Sequence, residues 1–407
     1  MDSYKLLSGE KRKSEHDKLM KIYDEYKSRG LALDMSRGKP SKDQLDLSLP
    51  MLETLKSTDI LKAENGLDAR NYGMLDGLPE AKRLFSEILN IEAKNIIVGG
   101  TSSLNLMYDT VARAMSFGVY EGCTPWNKLE KVKFLCPVPG YDRHFGICEL
   151  FGIEMINIPM DNNGPDMNLI EDLVANDETI KGIWCVPMYA NPNGVTYSEE
   201  VVRRFSKLSP KAKDFRIFWD NAYCVHHLTD TPDCLLNIFD ECKKSGSEDM
   251  LYIYASTSKI SFSGAGVAVL AASDNNIKYI KKLLAIQTIG FDKVNQLRHV
   301  RFFKNLDGIK AHMQLHKAII KPKFDAVLSA LSKEIAPLDV ASWSVPNGGY
   351  FVSFDAMDGC AKKIVSLCRE AGVVMTPAGA SFPYGKDDND KNIRIAPTFP
   401  PISELNT

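Results

Sequence analysis

Six short runs of mostly apolar residues lie between about residues 80 and 275, and helical patterns alternate with them. The runs are IIVGG (96–100), KVKFLCP (131–137), GIWCVP (182–187), FRIFWD (215–220), MLYIYAS (250–256) and GVAVLAA (266–272). Strands that alternate with helices in this way predict an α/β fold with a largely parallel sheet covered on both faces. Ligands of such sheets bind at the carboxyl ends of the strands. Candidate chemistry is therefore expected in the polar residues that follow each run.

Helical spacing of apolar residues dominates residues 276–335. It is visible in IKYIKKLLAI and again in AIIKPKFDAVLSAL, where Pro322 interrupts the pattern. A further helix is expected around residues 10–29, near the N-terminus.

The pattern returns to strand, turn and helix from residue 338 onward, in WSVPNGGYFVSFD, KKIVSLCREAGVV and NIRIA. This change predicts a second, smaller α+β domain. We expect a large domain over residues 48–300 and a small domain formed by residues 1–47 and 301–407.

Composition limits the class of ligand. The chain has 407 residues, of which 44% are hydrophobic, so it can bury a large core. Its 50 basic and 52 acidic residues leave a net charge of −2, which gives no general electrostatic reason to expect nucleic acid or a membrane surface as a partner. Small molecules are the expected ligands, and no metal site is predicted.

The N-terminus and the cysteines predict a cytoplasmic protein. MDSYKLLSGEKRKSEHDKLM lacks the apolar stretch of a signal peptide, and no run of about 18 apolar residues occurs. The nine cysteines form no C-x-x-C pair, and most lie inside apolar runs such as KFLCP and IWCVP. We expect them to be buried free thiols of a reducing compartment.

A glycine turn follows the first run, in IIVGGTSSLNLMYDTVARAM. Gly99 and Gly100 let the backbone approach a ligand closely, and Thr101 or Ser102 can cap the helix that follows. Free N–H groups at the start of a helix favour a phosphate. The alternative is an ordinary capped helix after a tight turn.

Lys259 stands among serines directly after a strand, in ASTSKISFSGAG. Most lysines are solvated surface charges, and that is the alternative here. A lysine held at the end of a strand can instead lose its proton through desolvation and act as a nucleophile toward an aldehyde. Ser256 and Ser258 can donate hydrogen bonds to a phosphate held nearby.

Two more polar motifs follow apolar strands. In FRIFWDNAYCVHHL, Asp220 ends the strand and Tyr223 lies three residues further on. A carboxylate there needs a partner. A protonated pyridine nitrogen would serve, and a helix N-cap is the alternative.

In VPMYANPNGVTYS, the turn that begins at Asn191 is explicable by ordinary turn chemistry alone. The glycine turn, this turn, D-x-x-Y and S-x-S-K occur in that order, each after a strand.

This ordered set resembles the fold-type I pyridoxal-5′-phosphate (PLP) enzymes, and within them the class I/II aminotransferases. The resemblance extends to RGKP (37–40), NYGMLDGLPEAKRL (71–84), VPGYDRHFGICELFGIEMINIPM (138–160), VPNGGYFVSFD (345–355) and NIRIAPTF (392–399). In detail the chain is most similar to the bacterial class Ic aspartate aminotransferases. The resemblance implies a large domain with a mostly parallel sheet flanked by helices, a smaller α+β domain and PLP as the cofactor.

The resemblance assigns roles around the cofactor. Lys259 would form the Schiff base with PLP and then serve as general base and acid. Asp220 would pair with the pyridinium nitrogen, Asn191 and Tyr223 would bond the phenolic oxygen, and Tyr141 would stack on the ring. The phosphate would be held by Gly100, Thr101, Ser102, Ser256 and Ser258.

The resemblance also implies a substrate and an assembly. Arg394 would grip the α-carboxylate bidentately, assisted by Asn191 and by the backbone of Gly38; a surface arginine on an edge strand is the alternative. Aspartate and 2-oxoglutarate are the expected pair. The cation for their second carboxylate stays open among Arg37, Lys39, Arg143 and Arg298.

A homodimer with shared active sites is expected, in which Tyr72 reaches the phosphate bound by the neighbouring subunit. The segment NYGMLDGLPEAKRL resembles the superfamily's Y-x-x-x-x-G-x-x-x-x-R stretch, with Gly77 and Arg83 at the matching places. IGFDKVNQLRHVR could contribute further donors to the interface; the alternative for this segment is a helix start with solvated charges.

Two departures from the family pattern stand out. Most members carry an arginine for the phosphate about eight residues after the lysine, where this chain has Gly264-Ala265-Gly266-Val267. Ser261, Ser263 or Lys293 from another subunit could meet the phosphate charge instead. The sequence also ends at PPISELNT, where the family would begin a last amphipathic helix.

Other functions compete with transamination. A PLP-dependent carbon–sulfur β-lyase would use the same lysine and electron sink. A non-catalytic PLP-binding regulator would carry a DNA-binding module ahead of the domain, whereas RGKP already begins at residue 37. A nucleotide-binding protein is disfavoured because GGTSSL lacks the lysine and the spacing of an NTPase phosphate loop.

Overall fold

The computed structural model describes residue 4 and residues 7–407. Its helices are α1 (Gly9–Ser28), α2 (Lys42–Asp46), α3 (Pro79–Leu89), α4 (Ser103–Phe117), α5 (Asp142–Leu150), α6 (Met167–Asn176), α7 (Glu199–Ser206), α8 (Ile238–Ser245), α9 (Asp274–Gln287), α10 (Lys293–Phe303), α11 (Leu306–Ala330), α12 (Ala361–Glu370) and α13 (Ile402–Leu405). Its strands are β1 (Leu33–Asp34), β2 (Ile96–Val98), β3 (Lys133–Val138), β4 (Glu154–Asp161), β5 (Gly164–Pro165), β6 (Ile180–Cys185), β7 (Arg216–Asp220), β8 (Leu251–Ser256), β9 (Ala268–Ala272), β10 (Ala341–Trp343), β11 (Val352–Ala356), β12 (Val373–Val374) and β13 (Asn392–Ile395).

The central sheet has eight strands in the order β2-β9-β8-β7-β6-β3-β4-β5. The five strands from β8 to β4 are parallel, while β9 runs antiparallel to both β8 and β2. The prediction of an α/β fold with a largely parallel sheet is confirmed. Parallel strands end at the same edge, so the residues after β3, β6, β7 and β8 are brought together.

Each of the six apolar runs contains a strand, but β4 was not predicted. Along β4 buried residues such as Met155 and Ile158 are interspersed with exposed ones, whereas every residue of β6, β7 and β9 is buried. A continuous apolar run is a clear signal of a strand buried on both faces, and β4 lacks that signal.

Aromatic side chains fill the core on one face of the sheet. The ring of Phe134 lies 5.4 Å from that of Phe218, 5.6 Å from that of Trp184 and 5.7 Å from that of Trp126, measured between centroids. These distances suit edge-to-face and tilted packing. Phe134 on β3 is paired across the sheet with Gly182 on β6, so the ring has room to lie over the glycine.

Two small sheets lie outside the central one. Strands β10, β11 and β13 form an antiparallel sheet, and β1 pairs in parallel with β12. Their strands come from residues 33–34 and 341–395. This supports the division into a large domain of residues 48–300 and a small domain of residues 1–47 and 301–407, which stays a prediction.

The helical patterns are confirmed, with one correction. Helix α1 matches the helix expected around residues 10–29, and α9, α10 and α11 occupy the stretch of helical spacing. Pro322 does not end the helix, because α11 continues through it for eight more residues to Ala330. Buried contacts on both sides of the proline, from His316 and Phe324, hold the helix together.

We predict that Gly182→Ala destabilises the protein. A Cβ at this position would lie 2.5 Å from the Phe134 ring, and overpacking of a dense core costs about 1–3 kcal/mol. Thermal unfolding should show a lowered melting temperature. Phe134→Leu in the same chain removes the clashing ring atoms, so the double variant should be more stable than the sum of the single losses. Additive losses, or a Gly182→Ala protein as stable as wild type, would contradict this packing.

Candidate active site

Lys259 lies in the turn that follows β8, three residues beyond Ser256. Its Nζ is 5.0 Å from the centroid of the Tyr223 ring and 5.9 Å from that of Tyr350. Burial lowers the pKa of Lys259, the charge of Arg394 acts in the same direction, and Asp220 opposes both. A lysine with a lowered pKa supplies more of the neutral amine, which is the form that attacks a carbonyl.

Asp220 ends β7, the strand beside β8, and is 3% exposed. Its Oδ2 lies 3.1 Å from Nε2 of His144, while its Oδ1 is buried and has no hydrogen-bond partner among the described residues. The N-cap interpretation of Asp220 does not apply, since the next α-helix begins only at Ile238. A buried, half-satisfied carboxylate calls for a further donor or cation.

His144 was missed by the sequence analysis, although it lies only three residues after Tyr141. It is 1% exposed in the first turn of α5, and its ring stacks on Trp184 at 4.5 Å between centroids and 12° between planes. Tyr141 meets the same ring edge-on at 4.9 Å. The available signal was helical spacing, which places residues 141 and 144 on one face. The imidazole thereby holds the Asp220 carboxylate in one orientation.

Tyr223 and Asn191 approach the same place from the ends of neighbouring strands. Burial raises the pKa of the Tyr223 phenol, with smaller contributions from Tyr141 and Asp220, so the hydroxyl keeps its proton and can donate it in a hydrogen bond. Asn191 is 4% exposed, and its Oδ1 accepts a hydrogen bond from Nη1 of Arg394 at 3.4 Å.

Hydroxyl groups from two turns meet beside Lys259. The Ser258 hydroxyl donates to the carbonyl of Thr101 at 3.1 Å, and the Ser256 hydroxyl donates to Ser258 Oγ at 3.1 Å. Ser102 caps α4 and accepts from the N–H of Leu104. The glycine turn and the lysine turn are therefore in contact at a helix N-terminus, where an anion is favoured.

These groups enclose a cavity of about 180 Å³. Most of the residues predicted for the cofactor line it, together with Leu104, Met107 and several small side chains. The lining residues from the prediction are Ser102, Tyr141, Asn191, Asp220, Tyr223, Ser256, Ser258 and Lys259. Ser263 also lines the cavity, whereas Gly100 and Thr101 lie in the adjoining turn.

Arg394 on β13 is not a surface arginine, since it is only 9% exposed. Its Nη1 lies 3.1 Å from Oδ1 of Asp142, and its guanidinium stands 4.9 Å from the centroid of the Phe351 ring. Its Nε has no partner in the described part of the chain. The backbone of Gly38 passes against the same phenyl ring, because a Cβ there would lie 2.0 Å from Cζ of Phe351. Gly38 and Arg394 are thus brought together.

The four candidate cations for a second carboxylate are differently placed. Arg37 is exposed and paired with Asp34 at 3.0 Å, and Lys39 is 4.2 Å from the centroid of the Phe399 ring. Arg143 is exposed. Arg298 is half-buried and donates to Asn295, and its Nε is unpartnered within the described residues. Arg298 therefore keeps a free donor.

The three residues that could replace the missing phosphate arginine differ in their position relative to the cavity. The Ser261 hydroxyl is buried against Thr257 and Nε2 of His299, at 3.0 and 2.9 Å. Lys293 is 6% exposed, with its Nζ 3.5 Å from the carbonyl of Phe291. Ser263 is the one of the three that lines the cavity.

Known proteins share this architecture. The family model for aspartate amino-transferase matches residues 7–407. An aspartate aminotransferase of Corynebacterium glutamicum is 43% identical over 390 residues, covering 96% of this chain and 90% of the relative. The crystal structure of an aspartate transaminase from that species superposes with a TM-score of 0.96 at 42% identity, covering 98% of this chain and 94% of that one.

A more distant structure shows the same fold. The α-aminoadipate aminotransferase of Thermus thermophilus, complexed with N-(5′-phosphopyridoxyl)-L-leucine, superposes with a TM-score of 0.74 at 16% identity, covering 94% of this chain and 91% of that one. The predictions of a fold-type I aminotransferase and of its α/β architecture are thus confirmed. With a family match over nearly its whole length and a full-length relative above 40% identity, the chain belongs to the aspartate aminotransferase family.

Proposed function

We propose that the protein is a PLP-dependent aminotransferase that moves an amino group from aspartate to 2-oxoglutarate. One observation supports this chemistry: Lys259 and Asp220 line one cavity at the ends of adjacent parallel strands, and Asp220 Oδ1 has no hydrogen-bond partner in the described part of the chain. The choice of aspartate is supported by the name of the Corynebacterium relative and by the similarity to class Ic aspartate aminotransferases.

The residues present fit PLP. Asp220 has a buried oxygen that no other described residue binds and that would suit the ring nitrogen, and Tyr141 provides an aromatic face. Asn191 and Tyr223 would serve the phenolic oxygen. The phosphate would be held by Gly100, Thr101, Ser102, Ser256, Ser258 and Ser263. When bound, PLP supplies an electron sink for the electrons released at the substrate α-carbon.

The residues around the cavity would have separate roles in the reaction. Nζ of Lys259 would hold the cofactor and would move the proton at the substrate α-carbon. Arg394 binds the α-carboxylate, and the backbone of Gly38 adds a contact beside it. The contact of Asp142 with the guanidinium fixes the fork before substrate arrives, which lowers the cost of ordering it.

We also propose a homodimer in which Tyr72 reaches the phosphate bound by the other subunit. Tyr72 is 77% exposed, which is unusual for a large aromatic side chain. Its loop packs on the segment that begins at Gly290, where an added Cβ would lie 2.6 Å from the carbonyl of Gly73. Two segments proposed for the interface are therefore adjacent on one surface.

A cytoplasmic location stays a prediction. All nine cysteines lie within the described residues and are free thiols, which is typical of reducing compartments. Among the described helices, none is long and apolar enough to cross a membrane.

The function is tested by a screen of donors and acceptors on purified protein. Aspartate with 2-oxoglutarate should yield oxaloacetate and glutamate, and omission of the acceptor should stop turnover after one amino group per site. Lys259→Ala serves as the inactive control. Release of pyruvate and ammonia from cysteine-type substrates without any acceptor would instead identify a carbon–sulfur β-lyase.

We predict that Lys259→Ala lowers turnover by at least about a hundredfold, the lower end of what a positioned acid–base group contributes. The same variant should lose the covalent link, so PLP should dissociate on gel filtration while the melting temperature of the apoenzyme stays near wild type. If the variant kept more than about a hundredth of wild-type activity, Lys259 could not be the group that transfers the proton.

We predict that two inactive variants complement each other. One carries Lys259→Ala, and the other carries Tyr72→Phe with Asn71→Ala. In a heterodimer, one site combines an intact lysine with an intact tyrosine, so random mixing should restore about a quarter of wild-type activity in a two-fold symmetric assembly. Each variant refolded alone is the control. Absence of recovery in proven heterodimers, or a fully active monomer, would refute shared sites.

A further inference from the structure

A buried chain of hydrogen bonds connects the segment after Gly38 with the peptide backbone of Lys259. Its centre is Gln44, which lies in α2 and is fully buried. Neutral amides are seldom fully buried unless their hydrogen-bonding groups are satisfied. The hydrogen-bond partners of Gln44 therefore indicate why this amide is buried.

The amide of Gln44 uses three of its hydrogen-bonding positions. Its Oε1 accepts from the N–H of Ser41 at 3.0 Å. Its Nε2 donates to the Tyr350 hydroxyl oxygen at 2.9 Å and lies 3.1 Å from Nδ1 of His316. Because an amide nitrogen has two protons, Nε2 can donate to both partners at once.

The first branch ends at Lys259 itself. Since Tyr350 accepts from Gln44, its own proton is free to be donated, and its hydroxyl lies 3.3 Å from the Lys259 carbonyl. Nε2 of His226 lies 3.3 Å from the same carbonyl. Burial and the charge of Lys259 lower the pKa of His226 to about 3, so this imidazole stays neutral, with its proton on Nε2 as the donor.

The second branch ends at His312, beside the next peptide. With Nδ1 of His316 accepting from Gln44, the ring proton of His316 lies on Nε2, which is 3.1 Å from Nε2 of His312. Nε2 of His312 must accept this proton, so its 2.9 Å approach to the carbonyl of Ile260 is a contact and not a second hydrogen bond. Burial lowers the pKa of both rings, so the pair is neutral and does not place a second cation behind Lys259.

We propose that Gln44 is a positioning residue that couples the substrate-carboxylate segment to the backbone of the catalytic lysine. This inference rests on the proposed function. Gln44 lies six residues after Gly38, and through Tyr350 its side chain fixes the Lys259 carbonyl in the turn that carries the amine. Without it, the turn can rotate, and the lysine amine is less often aligned with the substrate α-carbon.

Gln44→Met tests the proposal, because it preserves an unbranched side chain and removes every hydrogen bond. We expect kcat to fall between about tenfold and a hundredfold, as for a small misalignment of a reacting group. The KM for amino acid should change far less than kcat, since Arg394 is untouched, and the PLP content should stay near wild type, since the cofactor contacts are untouched. The isotope effect of an α-deuterated substrate on kcat should rise, because proton transfer becomes more nearly rate-limiting.

A second readout does not depend on turnover. Hydrogen exchange of the apoenzyme should accelerate in a peptide that contains residues 257–261. Asn95→Met is the matched control, because Asn95 is a buried amide, 1% exposed, that bonds to Ala272 and Asp274 away from the cavity. It should lower the melting temperature without changing kcat, the isotope effect or exchange in that peptide.

The outcomes separate the hypotheses. Wild-type kcat and isotope effect in Gln44→Met would overturn the proposal, as would losses that Asn95→Met reproduces at equal melting temperature. If Gln44→Met does not fold, Tyr350→Phe breaks the first branch alone and must show the same changes to a lesser degree. A wild-type protein that transaminates no donor would refute the proposed function, while the exchange result would still report on the coupling.

Discussion

The site depends on placing an amine and a carboxylate in a buried cavity without letting them neutralise each other. Asp220 and Lys259 come from the ends of adjacent parallel strands, so the sheet fixes their separation. One carboxylate oxygen is bound by His144, and the other has no hydrogen-bond partner among residues 4 and 7–407. A carboxylate oxygen without a partner is costly in a medium of low polarity. Trp184 stacks on His144 and packs against Phe218, so the aromatic core holds the imidazole, and with it the carboxylate, in place. The hydrophobic packing thus stabilises a site in which the hydrogen bonding of the Asp220 carboxylate is only half satisfied.

Much of the fold and of the site could be predicted from the sequence. Strands buried on both faces give unbroken apolar runs, and the polar residues at their ends identify the edge where the cavity lies. That Lys259, Asp220 and Asn191 line this cavity could be predicted in this way, from local order along the chain. The antiparallel placement of β9 and the half-exposed strand β4 carried no comparable signal, because pairing direction is decided by tertiary contacts and not by periodicity.

Contacts between distant segments could not be predicted. His144 is one histidine in a short helix, and only the folded sheet places it against Asp220, 76 residues further along the chain. Gln44 bonds to residues more than 270 positions away, and its polarity in the sequence suggests a surface residue. The partner of Arg394, Asp142, is likewise set by the docking of β13 beside α5. A single sequence contains no record of such pairs.

Helix α11 connects the lysine turn to the C-terminal segment. It is anchored at His312, which contacts the lysine turn, and again at Lys323, whose Nζ donates to the carbonyl of Thr398 at 2.8 Å. The two anchors are separated by about 16 Å along the axis, from 1.5 Å per residue. Pro322 lies between them and has no N–H to contribute to the helix. Because the proline leaves one backbone hydrogen bond of α11 unmade, the helix should bend most easily between its two anchored positions.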